Sequence, residues 1–411
     1  MKKKNNRLKI GINASYLRKP NTGIGQVTAN FLKNLARYKQ NDLEFILYLE
    51  EDISKDFEIP DNFTKKIFLP MYRRDDLIRK IWWEKFLLPR RVKKDECDVF
   101  ISMYQCPTSI QPYKEVKHIM IVHDIIPKLF SQYLDNVRKK LYWKLTEYGI
   151  KKADKIIAVS KRTEKDLIEH LNISADKITT NYIDVDDLFA SRTGATRLAS
   201  TSGLRESRRA NAGHANILNK YKLKSGYILA GGGYEVRKNV EGVVRAYKLL
   251  LERNKKEKFL PDFPKLVIYG KILPKNLSLA TDVEKLLREL NLTTHVKLLG
   301  EVPQKDLPAL FREAVMFVYP SHYEGFGMQI LEAMNVGTSA ITSKVSSLPE
   351  VGGDSVLYCN PDDIMDIAMV MKNVLTNKDL RDQLKSRGME RAKQFSWEKF
   401  IKKILNIIEE I

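Results

Sequence analysis

Short apolar strands alternate with amphipathic helices along the whole chain, which predicts two doubly wound α/β domains, each a parallel sheet covered by helices. Two further observations give the count. Composition changes abruptly over residues 190–216, where five arginines, no lysine and many Ser, Ala, Thr and Gly interrupt a Lys- and Ile-rich chain. Each half also opens on a strand followed by a glycine-bearing turn and a helix. With 411 residues, 43% of them hydrophobic and 30% charged, the chain can fill two cores. The expected division is a first domain over 1–189, a disordered linker or insertion over 190–216, a second domain over 217–394 and a closing helix over 395–411.

The formal net charge of +20 points to an anionic partner: nucleic acid, a membrane surface or a phosphorylated substrate. The basic residues are dispersed and form no recognisable DNA or RNA module, so no nucleic-acid partner is expected, and a basic nucleic-acid-binding protein is the non-enzyme rival. Cys97, Cys106 and Cys359 have neither zinc-site nor disulfide spacing, which fits a reducing compartment. The N-terminus enters a strand directly and no run reaches the length of a membrane span. A cytoplasmic protein, peripheral on the inner face of the membrane, is the expectation.

In the first half, Leu8–Ile12 reads as a strand, and Thr22-Gly23-Ile24-Gly25 leads into a helix with Val27, Phe31, Leu32 and Leu35 on one face. A Gly-x-Gly here fits either a ligand-facing turn at a strand's carboxyl end or a plain tight turn. Residues 73–94 mix nine basic side chains with Ile78, Trp82, Trp83 and Phe86. That pattern fits a helix lying on an anionic interface, and equally a solvated helix partly packed in the core. The strand His118–Val122 delivers His123 to a carboxyl end, where functional groups collect, although a structural histidine fits as well. Strand Lys155–Ser160 and the run Lys177–Asp186 complete the half.

In the second half, strand Tyr227–Gly231 runs through Gly232 and Gly233 to Arg237 and Lys238, which can hold a diphosphate, Arg by paired hydrogen bonds and Lys as a compact charge. Strands follow at Leu266–Gly270 and Val296–Gly300, the latter leading to Val302. The apolar run Val315–Tyr319 then enters Pro320-Ser321-His322-Tyr323-Glu324-Gly325-Phe326-Gly327, followed by a helix from Met328 that carries Glu332. Glycines at 325 and 327 let a ligand reach the backbone, and the helix N-terminus suits a phosphate. Glu324 can accept from sugar hydroxyls and Glu332 from a second polyol such as a ribose. The spacing also fits a tight turn with both glutamates in solvent. The final helix opens at Ser396 and carries Trp397, Phe400, Ile401, Ile404, Leu405 and Ile408 at helical spacing.

The stretch Pro320–Met334 resembles the signature of the retaining glycosyltransferases of family 4, the bacterial surface-polysaccharide mannosyltransferases among them. It matches Pro-Ser-x-x-Glu-Gly-Phe-Gly followed by a second glutamate in Leu-Glu-Ala-Met. It departs at Met328-Gln329, where Leu-Pro is common, and at Ser339, where Pro is usual. The resemblance spans nearly the full length outside 190–216. It implies the GT-B fold, two Rossmann-like domains with the active site in the cleft between them, and a last helix that crosses back to the first domain.

It further implies a metal-independent, retaining hexosyltransferase with no cofactor, whose nucleotide-sugar substrate is GDP-mannose or a UDP-sugar. The acceptor is then a saccharide or a polyprenyl-linked saccharide in surface-polysaccharide synthesis. A soluble oligosaccharide synthase or a sugar-nucleotide epimerase is the alternative within enzymes. On this resemblance Glu324, His123, Arg237 and Lys238 carry catalysis. Gly23, Gly25, Arg237, Lys238, Val302, Glu324, Gly325, Phe326, Gly327, Met328 and Glu332 contact the donor. Trp82 and Trp83 face the acceptor or an anionic membrane surface.

Overall fold

The structure is a computed structural model that describes residues 7–38, 42–52, 63–70, 74–111, 115–190, 216–271 and 279–410. The insertion expected over 190–216 therefore lies, apart from its two end residues, outside the described residues. The chain divides into two compact units, Met1–Asp184 with Phe395–Ile411, and Val185–Gln394.

The first unit holds strands β1 (Leu8–Asn13), β2 (Leu43–Leu49), β3 (Phe63–Ile67), β4 (Val99–Ser102), β5 (Lys117–Val122), β6 (Lys155–Ala158) and β7 (Ile178–Thr180). They pair in the order β3-β2-β1-β4-β5-β6-β7, parallel throughout. The second unit holds β8 (Tyr227–Gly231), β9 (Leu266–Tyr269), β10 (Val296–Gly300), β11 (Ala314–Tyr319), β12 (Ala340–Ser343) and β13 (Leu357–Cys359). Their order, β10-β9-β8-β11-β12-β13, repeats that of the first sheet, again all parallel. Near-continuous apolar strands such as Ile119–Val122 and Phe317–Val318 are buried on both faces, as a parallel sheet covered by helices requires. In both sheets the strand order reverses between the first and fourth strands, and ligands of such folds collect at the carboxyl ends beside that point.

The last helix, Trp397–Glu410, buries Trp397, Phe400, Ile401, Ile404, Leu405 and Ile408. It packs on the first helix, Gly23–Leu35, with the Phe31 and Phe400 rings 6.2 Å apart, edge to face. Asn181 Nδ2 donates to the Phe400 carbonyl at 2.9 Å. Cys97, Cys106 and Cys359 are free and buried. Among the described residues, no helix is long and apolar enough to cross a membrane.

Residues 73–94 depart from the single interfacial helix that the sequence suggests. Asp75 caps the helix Asp76–Trp82, Trp83–Leu87 form a π turn, and a second helix runs from Leu88 to Lys94. Trp83 is fully buried, stacked on Phe68 at 5.3 Å with its indole N–H donating to the Phe68 carbonyl at 2.9 Å. Trp82 is 48% exposed. The expectation that both tryptophans face an acceptor or membrane is therefore corrected: Trp83 is a core residue of the first unit, and only Trp82 is at the surface.

Candidate active site

The second unit brings two loops together at the carboxyl ends of its central neighbours, β8 and β11. After β8 the chain passes through Gly231–Gly233 into a tight turn, Val236–Lys238. Asn239, with φ of +56°, then caps the helix Val240–Glu257. Its side chain accepts from Gly242 N at 3.1 Å and donates to the Pro361 carbonyl at 2.7 Å, which fixes the turn. A Cβ on Gly270 would lie 2.5 Å from Gly233 N, so the loops after β8 and β9 touch backbone to backbone.

After β11 the loop Pro320–Gly327 ends in Gly327, with φ of +100°, from which the helix Met328–Asn335 starts without a side-chain cap. The loop is held from below by hydroxyls. Ser346 Oγ accepts from Glu324 N at 3.0 Å, and Ser347 Oγ reaches the carbonyls of Glu324 and Phe326 at 2.8 and 2.9 Å.

Arg237, Lys238 and Glu324 form one cluster. Arg237 Nη1 donates to Glu324 Oε1 at 2.7 Å and to the Tyr323 carbonyl at 2.9 Å, while its Nε pairs with Glu235 at 2.7 Å. Lys238 Nζ donates to the Tyr319 hydroxyl at 2.9 Å and stands 3.7 Å from Glu324 Oε1. The Tyr319 hydroxyl donates in turn to Oε1, and Ser321 Oγ lies 3.0 Å from the same atom. Burial pushes the Glu324 carboxyl up, but the guanidinium and the ammonium outweigh it and hold the group at about 2. Lys238 is shifted below the usual lysine value, chiefly by burial. All these bonds converge on Oε1; among the described residues none reaches Oε2. The arrangement presents a fixed carboxylate oxygen, two cations and an uncapped helix N-terminus, a set suited to a hydroxylated, phosphorylated ligand.

Glu332 lies in the helix behind the loop and is buried, accepting from Gln304 Nε2 at 3.2 Å. Burial pushes it up to about 8, with Gln304 and Lys238 only partly opposing. At neutral pH it is mostly protonated, able to donate as well as accept. The reading of both glutamates as solvent residues is excluded, since each is less than a tenth exposed. Val302, Gly325 and Phe326 are buried and Met328 half-buried, on the second unit with the cluster.

Gly23, Gly25 and His123 belong to the first unit. Gly23 and Gly25 form the first turn of the helix that Thr22 caps, Thr22 Oγ1 accepting from Gly25 N at 3.2 Å. A Cβ on Gly25 would stand 2.0 Å from the Lys19 carbonyl oxygen, so the close packing of its own loop already requires glycine there. Gly23 meets nothing within 4 Å. His123 follows β5 and is buried, its Nε2 donating to the Met103 carbonyl at 2.9 Å. Burial lowers it to about 4 although that bond pulls upward, so it is a neutral imidazole with its lone pair on Nδ1.

Sequence reasoning missed Tyr319, Ser321, Glu235, Gln304, Ser346 and Ser347. Tyr319 ends an apolar run and reads there as core. Its one distinguishing signal is a hydroxyl at a strand's carboxyl end, two residues before the Ser321 hydroxyl.

Comparison with known proteins agrees with this geometry. The family model described as glycosyl transferases group 1 matches residues 217–391, and the one described as Glycosyltransferase Family 4 matches residues 21–186. O-antigen chain mannosyltransferase B of Escherichia coli is 30% identical over 97% of this chain and 99% of its own length. The serotype-specific mannosyltransferase WbdA of the same organism is 31% identical over 68% of this chain, which corresponds to 32% of that longer protein. Among solved structures, WaaG, a glycosyltransferase involved in lipopolysaccharide biosynthesis, superposes with a TM-score of 0.71 at 15% identity, covering 98% of this chain and 99% of its own. Anabaena Alr3699/HepE in complex with UDP and glucose gives 0.68 at 17% identity, covering 98% and 100%. These two likenesses concern the fold, which is that of GT-B glycosyltransferases. With both family models matched in sequence along the two units, and a relative aligned end to end, the chain belongs to the group 1, family 4 glycosyltransferases.

Proposed function

We propose that the protein is a retaining, metal-independent hexosyltransferase that moves a sugar from a nucleoside diphosphate sugar to a saccharide or polyprenyl-linked saccharide in surface-polysaccharide synthesis. The observation that carries this reading is the Arg237–Lys238–Glu324 cluster beside an uncapped helix N-terminus. The cations and the backbone N–H groups take the diphosphate, and the second oxygen of Glu324, Oε2, takes a sugar hydroxyl. The bond from the anomeric carbon to the diphosphate breaks with its electron pair on the phosphate oxygen. The acceptor oxygen bonds to that carbon on the same face, and its proton passes to the leaving phosphate. Lys238 and Arg237 stabilise the charge that develops, so no second carboxylate is needed as base. Glu332 holds a ribose hydroxyl, and His123, being neutral, contacts a sugar hydroxyl without transferring a proton.

The Escherichia coli relatives are named mannosyltransferases, which makes GDP-mannose the first donor to test against UDP- and ADP-sugars. A ligand that binds the folded state raises the melting temperature by mass action. One nucleotide class is expected to do so, with the shift reduced in Lys238→Ala. Failure of all three classes sinks the reading.

Attachment to an anionic membrane at the cytoplasmic face is part of the proposal, supported by one surface of the first unit. Ile78, Trp82 and Phe86 are exposed, with the Trp82 and Phe86 rings 5.5 Å apart. The adjoining helix Val137–Lys152 exposes Leu141 and Tyr148, and Lys85 Nζ lies 4.2 Å above the Tyr148 ring. Apolar side chains ringed by lysines suit a headgroup layer. Co-sedimentation with phosphatidylglycerol vesicles should fall as salt rises and fall again in Trp82→Ala. Retention unaffected by either change removes this part of the proposal.

A further inference from the structure

Tyr319 closes β11, in register with Thr342 of β12, whose hydroxyl donates to the Tyr319 carbonyl at 2.8 Å. The side chain is 1% exposed, with its ring stacked on Phe317 at 5.6 Å. Strand pairing and ring packing together fix where the phenol hydroxyl stands. Facing it, Lys238 is 7% exposed, and its stem lies along Gly233, where a Cβ would stand 3.6 Å from Lys238 Cδ and Cε. The ammonium has three N–H groups and no lone pair. One goes to the Tyr319 hydroxyl at 2.9 Å. Among the described residues no hydrogen bond takes up the other two, and Glu324 Oε1 stands 3.7 Å away.

An ammonium and a carboxylate in direct contact close to about 2.8 Å. Here the phenol stands between them. Lys238 can only donate and the ionised Glu324 can only accept, so the hydroxyl accepts from the first and gives its proton to the second. Resting on the assignment of the diphosphate to this cluster, we propose that Tyr319 is a positioning residue for the transfer. Its hydroxyl holds the Lys238 ammonium off the Glu324 carboxylate and so leaves two N–H groups for the diphosphate. Without the hydroxyl, the buried ammonium takes the next acceptor in reach, Glu324 Oε1, because an unmade bond costs more than bending a flexible stem. The pair then neutralises itself. Tyr319 thus acts through Lys238 and needs no contact with the substrate.

The test is a double-mutant cycle in the full chain: wild type, Tyr319→Phe, Lys238→Ala and the two combined. Phenylalanine keeps the ring that stacks on Phe317, so only the hydroxyl is removed. Calorimetry gives Kd for GDP, UDP and ADP. Tyr319→Phe should weaken whichever diphosphate binds roughly five- to tenfold, and Lys238→Ala should weaken it more. The combined variant should bind within about twofold of Lys238→Ala alone, since the hydroxyl then has nothing left to position. A role in folding alone would leave affinity unchanged or add its own loss to that of Lys238→Ala. In a crystal structure of Tyr319→Phe, Lys238 Nζ should lie about 2.8 Å from Glu324 Oε1. Unchanged affinity in Tyr319→Phe, additive losses, a Tyr319→Phe chain that does not fold, or an ammonium still held off the carboxylate each overturn the inference and leave the donor site standing. Full affinity in Lys238→Ala, or a wild type that binds none of the three diphosphates, overturns the assignment of the diphosphate itself, and the inference with it.

Discussion

Each unit carries a buried Lys–Tyr–Glu cluster near the carboxyl ends of its sheet, and the two clusters differ in what they leave open. In the first unit Lys80 Nζ donates to the Tyr16 hydroxyl at 3.2 Å and stands about 5 Å from the ring centres of Tyr16, Tyr104 and Tyr142. Glu84 accepts from the Tyr104 hydroxyl on Oε1 and from Tyr142 on Oε2 at 3.0 Å, with Lys80 3.7 Å away. Both carboxylate oxygens are used. Burial raises Glu84, and its single cation offsets that only in part. In the second unit two cations act on Glu324, every bond converges on one oxygen, and the carboxyl stays at about 2. The same three residue types thus build a closed network in one place and a ligand-ready one in the other. What separates them is the second cation and the unused oxygen.

Changing the open cluster should harm chemistry, and changing the closed one should harm folding. Lys238→Ala is expected to cut turnover by about two orders of magnitude, the scale for removing a transition-state charge stabiliser. Glu324 keeps Arg237 as a partner in that variant, so the protein should remain folded. Turnover within about twofold of wild type would mean the open cluster is as structural as the closed one. Glu84→Gln should cost about 3–5 kcal/mol in a denaturant titration, because Lys80 is left buried without its counter-charge. Donor affinity should stay at its wild-type value, and a donor effect without a stability effect would reverse the assignment of the two clusters.

Smaller effects sharpen the contrast within the second unit. Glu332→Ala should weaken donor binding about tenfold while slowing turnover less, since its hydrogen bond is made in the ground state as well. Glu324 and Glu332 should also mark the pH dependence of folding in opposite senses. The folded pKa of Glu332 is raised to about 8. Its contribution is therefore full below the ordinary glutamate value and drains away as pH rises toward 8. Glu324, held at about 2, contributes above the ordinary value and loses that contribution as pH falls toward 2. Melting temperatures of the ligand-free protein between pH 5 and pH 8 should decline less steeply in Glu332→Gln than in the wild type. Identical slopes would mean that Glu332 titrates as an ordinary surface carboxyl.

Periodicity and glycine placement make the central strands of both sheets legible in the sequence, because a buried parallel strand writes itself as an apolar run, whereas β2, β3, β12 and β13 are not read there. Arg237, Lys238 and Glu324 were legible as types at strand ends, and the structure brings these three together. Their supports were not. Tyr319, Ser321, Gln304 and Ser347 acquire their tasks only when segments distant in sequence meet, and no local pattern distinguishes them from core or turn residues. Trp82 and Trp83 show the converse limit. Adjacent in sequence and alike in type, they part at a π turn, which an α-helical period cannot foresee.

Leu88 N bonds back to the Trp83 carbonyl, closing a ring that holds one residue more than an α-helical turn. An ancestral helix needs only one inserted codon to make it. The insertion shifts everything on one side by a fraction of a turn, and here Trp83 and Glu84 are both fully buried while Trp82 and Phe86 remain outside. Deleting one residue from 83–87 is expected to restore a regular helix and to rotate Leu88 and Val92, beyond the turn, out of the cluster they form with Trp83. Sister sequences with a one-residue gap at this place should then replace either Trp83 or the Leu88 and Val92 pair, because a regular helix cannot bury both sides of the turn in the same cluster.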